Sequence, residues 1–118
     1  MKVLVAYEYT FRFYSEVLAE ALADHRPHLD VRPTGTEQLT RELVLFDPDA
    51  VISSQPNGVD SSNNRAVWVE LPAEPSSPAE ICLDGDHVKV DSLPLMELIS
   101  ILDEAEALLQ EDPPAESC

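Results

Sequence analysis

Positive charge is scarce in this chain. Seven Lys and Arg stand against 23 Asp and Glu, for a formal charge of -16. Such a field repels phosphate backbones and anionic lipid headgroups alike, which argues against nucleic acid and the membrane surface as partners. Long apolar runs are also missing. None approaches the roughly 20 residues that span a bilayer. The opening MKVLVAY has neither a signal-peptide h-region nor a cleavage site, so a cytoplasmic location is expected. Cysteine is nearly absent: Cys82 lies in an apolar run and Cys118 at the last position, with no ligand cluster and no obvious pairing. Neither a structural disulfide nor a zinc site is expected. His25, His28 and His87 are too scattered to share a metal, and no metal or other cofactor is anticipated.

What is present is enough for one core. A chain of 118 residues with 44% hydrophobic residues gathered in short runs folds as a single domain. Val3 to Ala6 is a run without polar alternation, as in a strand covered on both faces. Phe11, Tyr14, Val17, Leu18, Ala21 and Leu22 recur at helical spacing up to about Ala23, with Arg12, Glu16, Glu20 and Asp24 opposite. In the loop between, Thr10 has the side chain of a helix cap. Leu29 to Arg32 reads as a second strand stopped by Pro33. A second helix follows, with Thr34 and Glu37 at capping-box spacing, a stripe of Leu39, Leu43 and Phe46, and a stop at Asp47-Pro48. Ala50 to Ile52 is a third strand, running into Ser53-Ser54.

After this β-α-β-α-β opening, which calls for parallel strands and right-handed crossovers, the pattern changes. Residues 55–65 (QPNGVDSSNNR) and 72–79 (PAEPSSPA) are too rich in turn formers for helices. Between them Ala66 to Leu71 is a fourth strand. Glu80 to Leu83 and Asp86 to Val90 flank Asp84-Gly85 as a hairpin. Pro94 to Gln110 is a closing helix, and residues 111–118 form an acidic tail expected to be disordered.

The stretch Thr34-Gly35-Thr36-Glu37-Gln38-Leu39, followed by Pro48-Asp49-Ala50-Val51-Ile52, resembles the receiver domain of bacterial response regulators, a flavodoxin-like fold. The resemblance covers most of the chain as pattern. It implies an α/β domain over 1–110 with a mostly parallel five-stranded sheet. The first, second and last helices are retained, loops replace the third and fourth, and a hairpin near 80–90 is possible. The family's phosphoacceptor aspartate falls here on Ser54, and its acidic magnesium-binding pair falls on Tyr7 and Glu8. The only candidate for its lysine is Lys89. Phosphoryl transfer to a carboxylate needs that nucleophile, the cation and the positive side chain together, so the implied domain is a degenerate, non-catalytic pseudo-receiver. The chain's start also looks like that of a flavodoxin. Its loop Glu8 to Arg12, however, holds no glycine and several bulky rings, which obstruct a phosphate.

Two candidate surfaces remain. Tyr7, Tyr9, Phe11, Phe13 and Tyr14 place five of the seven aromatics within eight positions at the carboxyl edge of the sheet. Phe11 and Tyr14 are expected in the core, while Tyr9 and Phe13 are candidates for contact. The period-two rule sets Val67, Val69 and Leu71 on one face of the fourth strand and Trp68 and Glu70 on the other. With two helices missing from that second face, Trp68 and Glu70 are expected on a bare surface that loops or another chain must cover. The expected function is therefore protein contact in bacterial signalling or regulation, as a homodimer or with another protein. The alternative is a small-molecule binder or enzyme at the carboxyl edge, using Glu8, Thr10, Ser53, Ser54 and Asn57. An acidic excess this large, with only two lysines, fits a salt-adapted proteome or a basic partner.

Overall fold

The computed structural model describes residues 1–54, 66–72, 78–83 and 86–111. Its elements are β1 (Lys2–Tyr7), α1 (Arg12–His25), β2 (Asp30–Gly35), α2 (Leu39–Leu45), β3 (Ala50–Ser53), β4 (Val67–Glu70), β5 (Ala79–Leu83), β6 (Asp86–Val90) and α3 (Leu95–Glu111). The expected first, second and last helices are all present. The two expected helix-free stretches lie mostly outside the described residues, as do the Asp84-Gly85 turn and residues 112–118 of the tail.

The domain is α/β, but the sheet has six strands in the order β2-β1-β3-β4-β5-β6 rather than five mostly parallel ones. β1, β2, β3 and β4 run parallel, whereas β4 with β5 and β5 with β6 are antiparallel pairs. Connection length explains the change of direction. A parallel return needs a crossover of about a dozen residues or more, and Glu70 and Ala79 are joined by residues 71–78 alone. The 80–90 hairpin thereby supplies both the fifth and the sixth strand.

Burial follows the alternation of the strands. On one face Val3, Val5, Ile52, Val67 and Val69 pack with Leu22 of α1 and Leu98, Ile99 and Leu102 of α3. On the other, Leu4, Ala6, Val51, Trp68 and Cys82 pack with Leu39 and Leu43 of α2 and with Phe46 just after it. The expected stripe of α2 is the buried one. Asp47 then takes a positive φ of 49°, the left-handed geometry that Asp tolerates at a helix end better than most residues.

Four expectations are corrected by packing. First, α1 turns Ser15, Ala19 and Leu22 inward, leaving Phe11, Tyr14 and Val17 exposed. Small side chains let the helix approach the sheet closely, and the Ser15 hydroxyl is satisfied by donating to the Arg12 carbonyl at 2.8 Å. Second, β2 runs through Pro33 to Gly35. As an edge strand it has a side that needs no N–H donor, so proline is tolerated there. Third, neither Thr10 nor Thr34 caps a helix. The 3-10 turns Tyr9–Phe11 and Thr36–Gln38 precede α1 and α2, and no side chain caps either turn or either helix. Fourth, Cys82 is disulfide-bonded and not a free thiol. Cys118 lies outside the described residues.

Trp68 is the largest correction. It is 2% exposed, among the most buried large side chains in the chain. β4 and β5 are covered within the chain, and only β6 is mostly exposed. The period-two assignment was correct, since Trp68 does share the α2 face, but that face is not bare at this position. We expect Trp68→Ala to lower unfolding stability by about 3–5 kcal/mol, the usual range for emptying an aromatic core site. Trp68 fluorescence should resist acrylamide quenching at every protein concentration. Free access of the quencher in dilute samples would contradict the burial.

The Arg26 guanidinium ties the end of α1 to α3 through two bonds to Asp103, at 3.0 and 2.8 Å. The hydrogen bonds from Arg26 hold the Asp103 carboxyl below its ordinary value of 3.8. A carboxylate favoured in the folded state stabilises fully above the unfolded value and loses that contribution as pH falls through the folded one. Acid unfolding monitored below pH 3.8 should therefore be less steep in Asp103→Asn than in the parent chain.

Candidate functional site

β1 connects to β2 on one side and β3 to β4 on the other, so the sheet has its topological switch point between β1 and β3. In open α/β sheets ligands bind at the carboxyl ends of the strands at such a point. Here the protein's own side chains tie the strand ends to one another. Tyr7 ends β1, is fully buried, and donates its hydroxyl to the Leu71 carbonyl just beyond β4 at 2.7 Å. Its ring meets Tyr14 edge-on, with centroids 5.0 Å apart and an interplanar angle of 79°. Burial, with smaller contributions from Tyr14 and Glu8, raises the Tyr7 phenol well above its ordinary value of 10.0, so it remains a neutral donor. Beside it, the Ser54 hydroxyl donates to Glu8 Oε1 at 2.9 Å, bridging the ends of β1 and β3.

Of the expected positions Tyr7, Glu8 and Ser54, the last two are joined directly, while the Tyr7 side chain lies in the core cluster covered by α1 and α3. The Ser54 hydroxyl has its proton engaged by Glu8, and the Tyr7 ring is buried. Lys89 is not nearby. It lies on β6, three inter-strand steps from β3, or about 14 Å at the usual strand spacing, and it faces Glu80 across the hairpin. Of the residues at the alternative small-molecule site, Ser53 is fully buried, Thr10 is exposed and Asn57 lies outside the described residues. Among the described residues, no group of three or more His, Cys, Asp and Glu is arranged to hold a metal ion.

The four expected contact residues do not form one surface. Trp68 is interior and Glu70 half-buried on the α2 face, while Tyr9 and Phe13 belong to the start of α1, on the opposite face of the sheet. These two are 67% and 72% exposed, and Phe11, Tyr14 and Val17 join them as exposed apolar residues. The Arg12 guanidinium lies 5.0 Å from the Tyr9 ring centroid and 5.8 Å from that of Phe13, holding both rings outward by cation–π contact.

Sequence reasoning missed the cavity beside this cluster. A space of about 180 Å³ opens between α1 and the end of β2, lined by Tyr9, Arg12, Glu16, Thr34, Gly35 and Glu37 among others. The Glu37 carboxylate folds onto Gly35 so closely that a Cβ there would come within 2.7 Å of Oε1. The signal was obscured by Pro33. Ending the strand at Pro33 separates Thr34 and Gly35 from the sheet edge that they extend.

Comparison with protein-family models, with curated proteins and with solved structures finds no match. No described helix is long and apolar enough to cross a membrane.

Replacing Tyr7 with Phe removes the donor to the Leu71 carbonyl. We expect Tyr7→Phe to lose about 1–3 kcal/mol of stability, the range for a buried acceptor left unsatisfied. Because the folded-state value of Tyr7 is raised, its contribution is complete below pH 10.0 and declines at higher pH. Alkaline difference spectra should show one tyrosine of the parent chain ionising only with unfolding, and that late step should vanish in the variant. Ionisation of all three tyrosines of the parent chain before unfolding would refute the assignment.

Proposed function

We propose that this chain is a non-catalytic, receiver-like (pseudo-receiver) domain, cytoplasmic and without a cofactor, that works by protein contact in bacterial signalling or regulation. Its partner is a second copy of the chain or another protein. One observation carries the reading: at the switch point Tyr7 is buried and tied to Leu71, and Ser54 to Glu8, while aromatic side chains at the start of α1 face solvent. A site built to bind a ligand has the reverse arrangement, with an open crevice and its rings turned into it.

Further support comes from the order of the first four strands, β2-β1-β3-β4, all parallel, which a flavodoxin-like sheet shares before its fifth strand. The antiparallel fifth strand departs from that plan. The placement of Lys89 and the substitution at Ser54 argue against the family's phosphoryl chemistry, since both the nucleophile and the positive side chain near the leaving oxygens are missing from the crevice.

The test is intact-mass analysis of the purified chain after incubation with acetyl phosphate and magnesium, together with native mass spectrometry at several concentrations. The reading predicts no phosphoryl adduct and no bound metabolite. An acid-labile adduct, or a small molecule co-purifying at the Glu8 and Ser54 edge, would overturn it in favour of the enzyme or ligand-binding alternative.

A further inference from the structure

We infer that the start of α1 and the neighbouring cavity form a docking surface for a basic, apolar-bearing segment of another protein. The inference rests on the contact reading above and specifies the partner's chemistry. Phe13 and Val17 are one helical turn apart on the outward side of α1, and Tyr9 lies just before the helix, all three exposed by more than 60%. Large side chains exposed together are uncommon on a soluble surface without a partner. The residue types, Tyr, Phe and an aligned Arg, are those enriched at the centres of protein interfaces.

Charge selects the occupant. Glu16 and Glu37 line the cavity together with Tyr9 and Arg12, Glu8 directly precedes Tyr9 in the chain, and Arg12 is held against Tyr9 and Phe13. A second copy of the chain would set two bodies of charge -16 against each other, a contact that the field opposes. Anionic lipid and nucleic acid are opposed by the same field. A segment carrying lysine or arginine beside aliphatic side chains is attracted by it. The apolar side chains of such a segment would lie over Phe13 and Val17. One of its cations would enter the 180 Å³ cavity between Glu16 and Glu37, which far exceeds the ~15 Å³ that a single water needs. The free donors of Arg12 remain to meet the segment's backbone carbonyls.

The experiment titrates the full-length chain with a short synthetic peptide of lysine and leucine at helical spacing, read by amide chemical shifts and fluorescence anisotropy. A glutamate–leucine peptide of the same pattern is the control. Shifts are expected at Tyr9, Arg12, Phe13, Glu16 and Glu37. Glu37→Gln and Phe13→Ser should each weaken binding about tenfold, as loss of an interface anchor does. Glu97→Gln, which removes the same charge from an exposed position on α3, should leave affinity within about twofold, as expected of a screened remote charge. Both substituted side chains outside the cavity are exposed, so an unchanged amide spectrum verifies the fold. Shifts spread over the whole acidic surface, or equal loss from Glu97→Gln and Glu37→Gln, would overturn the inference and leave only a generally acidic chain. A concentration-dependent dimer that ignores the peptide would also overturn it while sparing the contact reading. A phosphoryl adduct or bound metabolite at Glu8 and Ser54 would remove the contact reading itself.

Discussion

The hydrogen bond from the Tyr7 hydroxyl to the Leu71 carbonyl is the constraint on which the carboxyl edge depends. It joins the end of the central strand β1 to the chain just beyond β4, across β3. The phenol reaches that carbonyl from within the core cluster that α1 and α3 cover. Tyr14 packs edge-on against the same ring, while the rings of Tyr9 and Phe13 are left on the outer side of α1. The exposed cluster follows from this packing and from the small residues Ser15 and Ala19 on which α1 rests.

The distribution of the few cations has a similar logic. Lys2 approaches Phe46 through both its backbone carbonyl and its ring. Arg32 stacks over Phe46 at 4.2 Å and pairs with Glu42, and Arg26 is taken by Asp103. These three sit at helix and strand junctions and fasten α2 and α3 to the rest of the fold. Each such pair is partly exposed and worth little alone. At the α1 start, Arg12 has rings as its partners.

Much of the architecture was legible from the sequence because it rests on local periodicity. Alternation placed Val67 and Val69 opposite Trp68, the Leu39, Leu43 and Phe46 stripe marked the buried side of α2, and Asp84-Gly85 between two short runs marked the hairpin. What periodicity does not carry is how far a face is covered. Trp68 was expected on a bare sheet because helices were missing from that side, yet it is buried; coverage is a property of the whole chain, not of one strand. The direction of β5 was equally invisible to strand patterning, although the short connection after β4 contained it. The stripe on α1 was misread for a different reason. Apolar rings outweigh Ser15 and Ala19 in any hydrophobicity pattern, but close packing against a sheet favours the small residues. The cavity was lost through one inference, that proline ends a strand, which fails at a sheet edge.

The pairing of Ser54 with Glu8 bears on the nucleophilicity of that hydroxyl. A hydroxyl becomes a nucleophile when a base takes its proton while a third group orients the base. Glu8 accepts the Ser54 proton in a hydrogen bond, but a carboxylate is a far weaker base than an alkoxide, and no described imidazole stands between them. His28 is engaged with Glu106 at 2.7 Å and His87 lies on the far edge strand β6. The bond thus acts as a clasp between the ends of β1 and β3, parallel in effect to the Tyr7 link between β1 and β4. Two such clasps at one edge give it the rigidity of a platform. A rigid platform presenting outward rings has less entropy to lose when a partner settles on it, which is the physical advantage the two clasps bring to the contact role proposed above.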